Sequence, residues 1–282
     1  MVDRAGFEPA TSTLQAVLRV SREVVDDFGL FCLVQQRLAP STSRDHRARL
    51  LKFLRWADFE VSRDKIQGYL ETYVDKSPGT YNRQLDTLRV FCRDFLKMGH
   101  LIEGFKYSPR DDPEPEPPSD KAIQRGFYAQ PDRLSQGFYL FVATTGLRKS
   151  EILGLSWGNI NLQLRSVKPG KWTRTKRTGV TFYNCEAERL MPAIGDDPIW
   201  PLGSRTYNAV WKRATKAAGE KISAKLLRVW FSTKMAELGV PDRYVDVFQG
   251  RAPRKVIAKY YTGKGLLRLK RIYDRAGLRV LP

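Results

Sequence analysis

The chain has 282 residues, a length that accommodates two average domains, and its 42% hydrophobic and 28% charged residues describe a globular polypeptide with apolar mass for real cores. Its 49 Lys and Arg against 30 Asp and Glu leave a formal charge of +19, a surplus that invites a polyanionic partner, most commonly nucleic acid. An anionic membrane is the competitor, yet no apolar run approaches the roughly 18 residues needed to span a bilayer. The opening MVDRAGFEPATSTLQ carries no basic-then-apolar leader, so a cytoplasmic location is expected. Cys32, Cys92 and Cys185 are scattered, odd in number and free of metal-ligand spacing, which predicts a reducing interior and no structural metal.

Residues 1–13 read as an irregular tail, and the stretch from Leu14 to Leu38 is apolar enough for one or two helices. Ser41 and Ser43 then stand as N-caps for a helix whose apolar residues Leu50, Phe53, Leu54 and Ala57 recur at helical spacing. Ile66, Tyr69, Leu70 and Tyr73 repeat the pattern, and after the Ser77-Pro78-Gly79 break a third helix turns Leu85, Leu88, Phe91, Cys92 and Phe95 inward. The outward faces of this helical unit carry Arg44, Arg47, Arg49, Lys52, Arg55, Arg83, Arg89, Arg93 and Lys97. With few compensating acids they form a candidate polyanion-binding face rather than ordinary solvated surface. The following Ser108–Asp120 stretch is proline-rich and acidic, predicts an extended linker, and ends a first region spanning 14–107.

Beyond the linker the spacing predicts helices over Leu134–Thr145, Ser150–Leu155 and Leu226–Leu238, and one bearing Tyr207, Val210, Trp211 and Ala214. Between Asn161 and Asn184, short alternating runs broken by Pro169-Gly170 and Thr178-Gly179 suit two or three antiparallel strands. Four segments of this region concentrate chemistry. In ATTGLRKSEILGLSW, Gly146 ends one helix and Arg148 enters the next, with Glu151 three residues on as a candidate partner. In SAKLLRVWFSTKMAELG, Lys225 and Arg228 share one side of a helix that Phe231, Met235 and Leu238 seat in the core. FQGRAPRKVIAKYYTGKG sets Arg251 after Gly250 and ends in the pair Tyr260-Tyr261, and KPGKWTRTKRTG offers Lys171 and Lys176 on a hairpin. The closing Leu266, Leu269, Ile272 and Tyr273 make an amphipathic helix.

The ordered set Gly-Leu-Arg-x-Ser-Glu-Ile-x-x-Leu, basic-x-x-Arg, Gly-basic and Tyr-Thr resembles the tyrosine recombinase (phage-type integrase) family over residues 40–265. The resemblance implies a mainly α fold with a small antiparallel β-sheet in the catalytic domain, and two domains clamping DNA. They would be a core-binding domain at 14–107 and, after the 108–120 linker, a catalytic domain at 121–265 with a C-terminal tail at 266–282. It also implies cleavage and rejoining of double-stranded attachment sites through a covalent 3′-phosphotyrosine, by a tetramer on DNA, without metal or cofactor. Carried onto this sequence, Arg148 and Arg228 would clamp the phosphate, Lys176 (Lys171 in reserve) would be the general acid, and Lys225 and Arg251 would donate further hydrogen bonds. Tyr261, which matches the family's Tyr-Thr step, is preferred to Tyr260 as nucleophile.

Two departures stand out: most members have His in place of Lys225, and His or Trp in place of Arg251. The Lys-x-x-Arg and Gly-Arg variants resemble the integrases of archaeal fuselloviruses and related plasmids, elements that often target tRNA genes. Gly6-Phe7-Glu8-Pro9 is what GGG-TTC-GAA-CCC encodes, which contains the T-arm sequence of a tRNA gene. The alternatives are a type IB topoisomerase, disfavoured by the short chain, and a DNA-binding protein with a decayed site.

Overall fold

The computed structural model describes residues 17–110, 113–170, 179–195, 197–251 and 263–282. Two compact units divide the chain, one ending at Pro113 and the other running from Glu114 to Pro282.

The first unit is helical. A two-residue antiparallel pair, β1 (Leu18–Arg19) with β2 (Glu60–Val61), flanks α1 (Val24–Val34) and α2 (Pro40–Trp56). These are followed by α3 (Arg63–Glu71) and α4 (Pro78–Arg89), which runs on into a π-helical turn at Val90–Phe95. The expected stripes are the core: Leu50, Phe53, Leu54 and Ala57 of α2 and its C-cap are fully buried. Ile66, Tyr69 and Leu70 of α3, with Tyr73 just after it, are buried too, as are Leu85 and Leu88 of α4 and Phe91 and Cys92 of the π turn. Phe95 is only partly buried against them. Burial pushes the thiols of Cys32 and Cys92 up to about 11 and about 12, leaving both protonated and inert.

Three local expectations need correction. Within the described part of the Leu14–Leu38 stretch, Leu18 and Arg19 form strand β1 by pairing with Val61 and Glu60, ahead of the helix α1. Neither Ser41 nor Ser43 caps α2, which starts at Pro40 behind Ala39, where proline has no N–H to lose. Ser43 lies inside the helix instead, and its hydroxyl donates to the Gly29 carbonyl at 2.9 Å, joining α2 to α1.

The second unit wraps around α6 (Arg133–Thr145), whose residues from Gly137 to Thr145 are buried on every side, as a central helix requires. Asp132 caps it by accepting from Ser135 N at 2.7 Å. Around it lie α5 (Asp120–Tyr128), α7 (Lys149–Ile152), α8 (Cys185–Arg189), α9 (Ser204–Ala218), α10 (Ala224–Glu237), α11 (Asp242–Phe248) and α12 (Gly263–Ala276). A three-stranded antiparallel sheet, in the order β3 (Ile160–Asn161), β4 (Ser166–Val167), β5 (Thr181–Phe182), fills the region where alternating runs were expected. The proline-rich acidic stretch ends at Ser119, which caps α5, and Asp120 is already helical. The Asp120 carboxylate accepts from Trp230 Nε1 at 2.7 Å and Lys234 Nζ at 2.6 Å on α10.

On α12, Leu269 and Tyr273 are buried in the unit's own core, and the Tyr273 hydroxyl donates to the Thr144 carbonyl at 2.8 Å. Leu238 was expected to point inward but is 39% exposed, because α10 ends at that residue. Where α6 meets the end of α8, a Cβ at Gly137 would stand 2.1 Å from the Leu190 carbonyl oxygen. Gly137→Ala should therefore force two backbones apart and cost about 1–3 kcal/mol of stability, read as a lowered denaturant midpoint. An unchanged midpoint would refute this close approach.

Candidate active site

Three arginines predicted from separate segments come together on the second unit. The first is delivered by a turn that only glycine permits: Gly146 follows α6 with φ 61°, and a Cβ there would lie 2.6 Å from Phe231 Cδ1 of α10. Two residues on, Arg148 is the extended N-cap of α7. The buried Glu151 carboxylate accepts from the Arg148 backbone N–H at 2.8 Å and from its Nη1 at 3.1 Å. The simple reading of Arg148 as a partner of Glu151 is thus met, and the same pairing aims the guanidinium.

The second arrives on α10, which Ser223 caps and which Leu227, Trp230, Phe231 and Met235 anchor in the core. Arg228 Nη1 donates to the Gly146 carbonyl at 2.5 Å, and Nη2 donates to the Gln249 carbonyl at 2.5 Å. The third follows α11, which closes with Gly250 N bonded to Val247 O at 3.1 Å and Arg251 N to Asp246 O at 2.7 Å. This is the paired closure made when a left-handed residue, here Gly250 at φ 63°, follows a helix, and it fixes where Arg251 departs.

The electrostatics tie the three together. Burial, then the charge of Arg148, and also that of Arg251, press the Arg228 guanidinium down from its ordinary value to about 9, against an upward pull from Glu151. Burial is the largest cause, and the neighbouring arginines add to it with Glu151 opposing, so positive charge predominates around Arg228. A tetrahedral oxyanion is the kind of group that planar guanidiniums hold by bidentate hydrogen bonds.

Lys225 is exposed on α10, one turn before Arg228 and on the same side of that helix. Among the described residues no hydrogen bond or ion pair ties it to the three arginines. Lys171, Lys176, Tyr260 and Tyr261 lie outside the described residues. Both histidines are in the first unit, where buried His46 meets Thr87 Oγ1 through Nδ1 at 2.9 Å. Among the described residues no group of three His, Cys, Asp or Glu gathers as a metal-ligand set, and no helix is long and apolar enough to cross a membrane.

The sequence reading missed Gln249, a fully buried amide whose Nε2 donates to the Arg228 main-chain carbonyl at 2.7 Å. Its only trace in the sequence is a polar residue between the apolar Val247-Phe248 and Gly250.

Residues 129–264, which include all three arginines, match the profile of the phage integrase family. The match spans just under half of the chain, so this stretch is similar to a phage integrase family domain. A search of curated proteins by sequence returns no match. Among solved structures, lambda integrase(75–356), as a dimer bound to a COC′ core site, is similar with a TM-score of 0.64 and 14% identity, over 81% of this chain and 94% of that one. A lambda integrase tetramer bound to a Holliday junction gives 0.63 and 15%, over 81% and 76%. The Tn1549 transposon integrase in complex with circular intermediate DNA gives 0.56 and 18%, over 86% and 98%. At such identities the likeness is one of fold, the mainly helical tyrosine recombinase architecture with small antiparallel sheets.

In the first unit, the candidate polyanion face is partly spoken for. Arg47 pairs with Asp26, Arg49 with Asp45 at 3.8 Å, and Arg93 with Asp94 at 2.8 Å. Arg89 donates to the Phe105 carbonyl at 2.5 Å and lies over the Tyr107 ring, and Lys52 lies over Tyr73. Arg44, Arg55, Arg83 and Lys97 are exposed, with no ion pair among the described residues.

The second unit should therefore be stabilised by oxyanions. A basic group whose folded pKa is depressed costs stability in full below that value, and the cost fades as pH rises from about 9 towards the group's ordinary value. Sulfate should raise the melting temperature at pH 7 more than chloride of equal ionic strength. The excess should shrink above pH 9 and be lost in Arg228→Gln. Equal effects of the two salts on the wild type would count against the cluster as an anion site.

Proposed function

We propose that the chain is a site-specific DNA recombinase of the integrase type, which cleaves and rejoins strands through a covalent 3′-phosphotyrosine at Tyr261. The single observation that carries the reading is the convergence of Arg148, Arg228 and Arg251 within the stretch that matches the phage integrase profile. In-line attack by the tyrosyl oxygen forms a P–O bond and breaks the bond to the 5′ oxygen. The pentacoordinate state gathers negative charge on the non-bridging oxygens, where Arg148 and Arg228 hold it. Lys176, or Lys171 in its place, delivers a proton to the departing 5′ oxygen, and Lys225 and Arg251 add hydrogen bonds in place of the family's usual histidines. The phosphotyrosine link conserves the bond energy, so resealing needs neither nucleotide nor metal.

The chain's two compact units would serve as a core-binding domain and a catalytic domain, acting as a tetramer on paired attachment sites. The solved neighbours bound to DNA as dimer and tetramer support that assembly. The Lys-x-x-Arg and Gly-Arg variants and the Gly-Phe-Glu-Pro start favour an archaeal mobile element whose attachment site lies in a tRNA gene.

A pool of randomised nicked duplexes tests the chemistry without a known target. Wild type should form adducts that survive denaturant, and Tyr261→Phe should bind DNA normally but form none. Adducts from Tyr261→Phe, with loss in Tyr260→Phe, would move the nucleophile. A 5′-bridging phosphorothiolate leaves as a thiolate that needs no proton. It should restore cleavage to Lys176→Ala while leaving Arg228→Ala about 100- to 1000-fold down. If Lys171→Ala alone is restored, the acid is Lys171.

Binding should also weaken with salt at a log–log slope of about −0.9 per phosphate contacted, and hence about −5 or steeper for a two-domain grip. A slope shallower than about −3 would exclude that grip.

A further inference from the structure

Buried polar side chains are costly unless bonded, which makes the fully buried amide of Gln249 the strongest feature left unexplained by the cluster. It belongs to a reciprocal pair. Arg228 donates from its side chain to the Gln249 main chain, and Gln249 donates from its side chain to the Arg228 main chain. Two opposed bonds between residues 21 apart make a two-point contact, which fixes direction as well as distance. The Arg228 carbonyl lies within α10, has its place in the helical ladder and also accepts from Ser232 Oγ at 3.3 Å, so the amide adds to bonds already there. Its contribution is therefore to placement more than to the satisfaction of that carbonyl. Through Arg228 Nη1 the same contact reaches Gly146, two residues before Arg148, and Gly250 and Arg251 follow directly on Gln249.

We propose that Gln249 is a positioning residue for the anion clamp: its amide locks the turn after α11 onto α10, setting the Arg228 guanidinium and the departure of Arg251. The inference rests on the reading of the three arginines as a phosphate clamp. A side chain that merely filled space there would be replaceable by an apolar one of similar size. An amide that directs Arg228 would not be.

Gln249 bonds Arg228 directly, and among the described residues the charges that act on Arg228 are those of Arg148, Glu151 and Arg251. A carboxylate placed among them cannot donate to the Arg228 carbonyl and would draw the guanidinium off the phosphate, whereas the protonated acid donates as the amide does. Gln249→Glu and Gln249→Met test this in the full chain, with the single-turnover rate of adduct formation on the randomised nicked pool read against pH. Gln249→Met should be about 10- to 100-fold slow at every pH, with DNA affinity unchanged. Gln249→Glu should be as slow as Gln249→Met from pH 8 down to 5.5, because the arginines hold the carboxylate ionised. A rate equal to wild type in either variant overturns the proposal.

Should wild type itself give no adduct, the recombinase reading fails, and the sulfate-specific rise in melting temperature then decides the role of Gln249. Its loss in a folded Gln249→Met supports positioning of an anion site. Its full retention overturns it.

Discussion

The site depends on one guanidinium held between two backbone carbonyls. Arg228 reaches the end of α6 with one nitrogen and the end of α11 with the other, so a single side chain joins the turns that present Arg148 and Arg251. The arrangement works against Coulomb's law, since it packs like charges where burial has already weakened solvent screening. What holds it is mostly neutral: carbonyl oxygens, one amide and the apolar seat of α10, with Glu151 the acid that answers Arg148. Such a site is built for charge that arrives with a ligand or develops in a transition state, because its donors are already oriented beforehand.

The rigidity this demands is supplied from beneath. α6 is buried along most of its length, so the Gly146 turn is launched from a helix packed on every side. Thr181 Oγ1 of β5 donates to the Thr145 carbonyl at 2.8 Å, and Tyr273 of α12 bonds the carbonyl before it, which fastens sheet and C-terminal helix to the same helix end. The sheet, α6, α10 and α12 therefore meet at the residues just before Arg148. A displacement in any of them reaches the site through the backbone.

Periodicity and glycine made much of this legible in the sequence. The apolar stripes of α2, α3, α4 and α9 repeat at helical spacing, and their burial follows from that period. Gly-Leu-Arg and Gly-Arg were readable as steps because a left-handed residue must end a helix before its neighbour can turn into a site. What was hidden is tertiary. Gln249 meets Arg228 only because α11 folds back on α10, and Ser43 looked like a cap until α1 was set against it. Leu238 satisfied the pattern of α10 but fell where the helix ends, and the charge count could not tell exposed Arg44 from Arg47, which Asp26 holds.

Arginine at position 251 and lysine at 225 also constrain how the proposed reaction handles protons. Histidine is the one side chain whose ordinary pKa sits between pH 5 and 8, and both histidines of this chain lie in the first unit. A histidine beside the phosphate can accept the tyrosyl proton, whereas a guanidinium has no lone pair to receive one. In the proposed reaction Arg251 would therefore act on the phenol through its field, favouring the phenolate without taking the proton itself. The proton would leave by another route, such as water or a phosphate oxygen, and the lysine that protonates the leaving oxygen would be the other protein group to change its protonation. Acid and base would then no longer be one interchangeable class of residue. The arginines would provide charge and alignment only, and among protein groups proton transfer would fall to the nucleophile and the lysine.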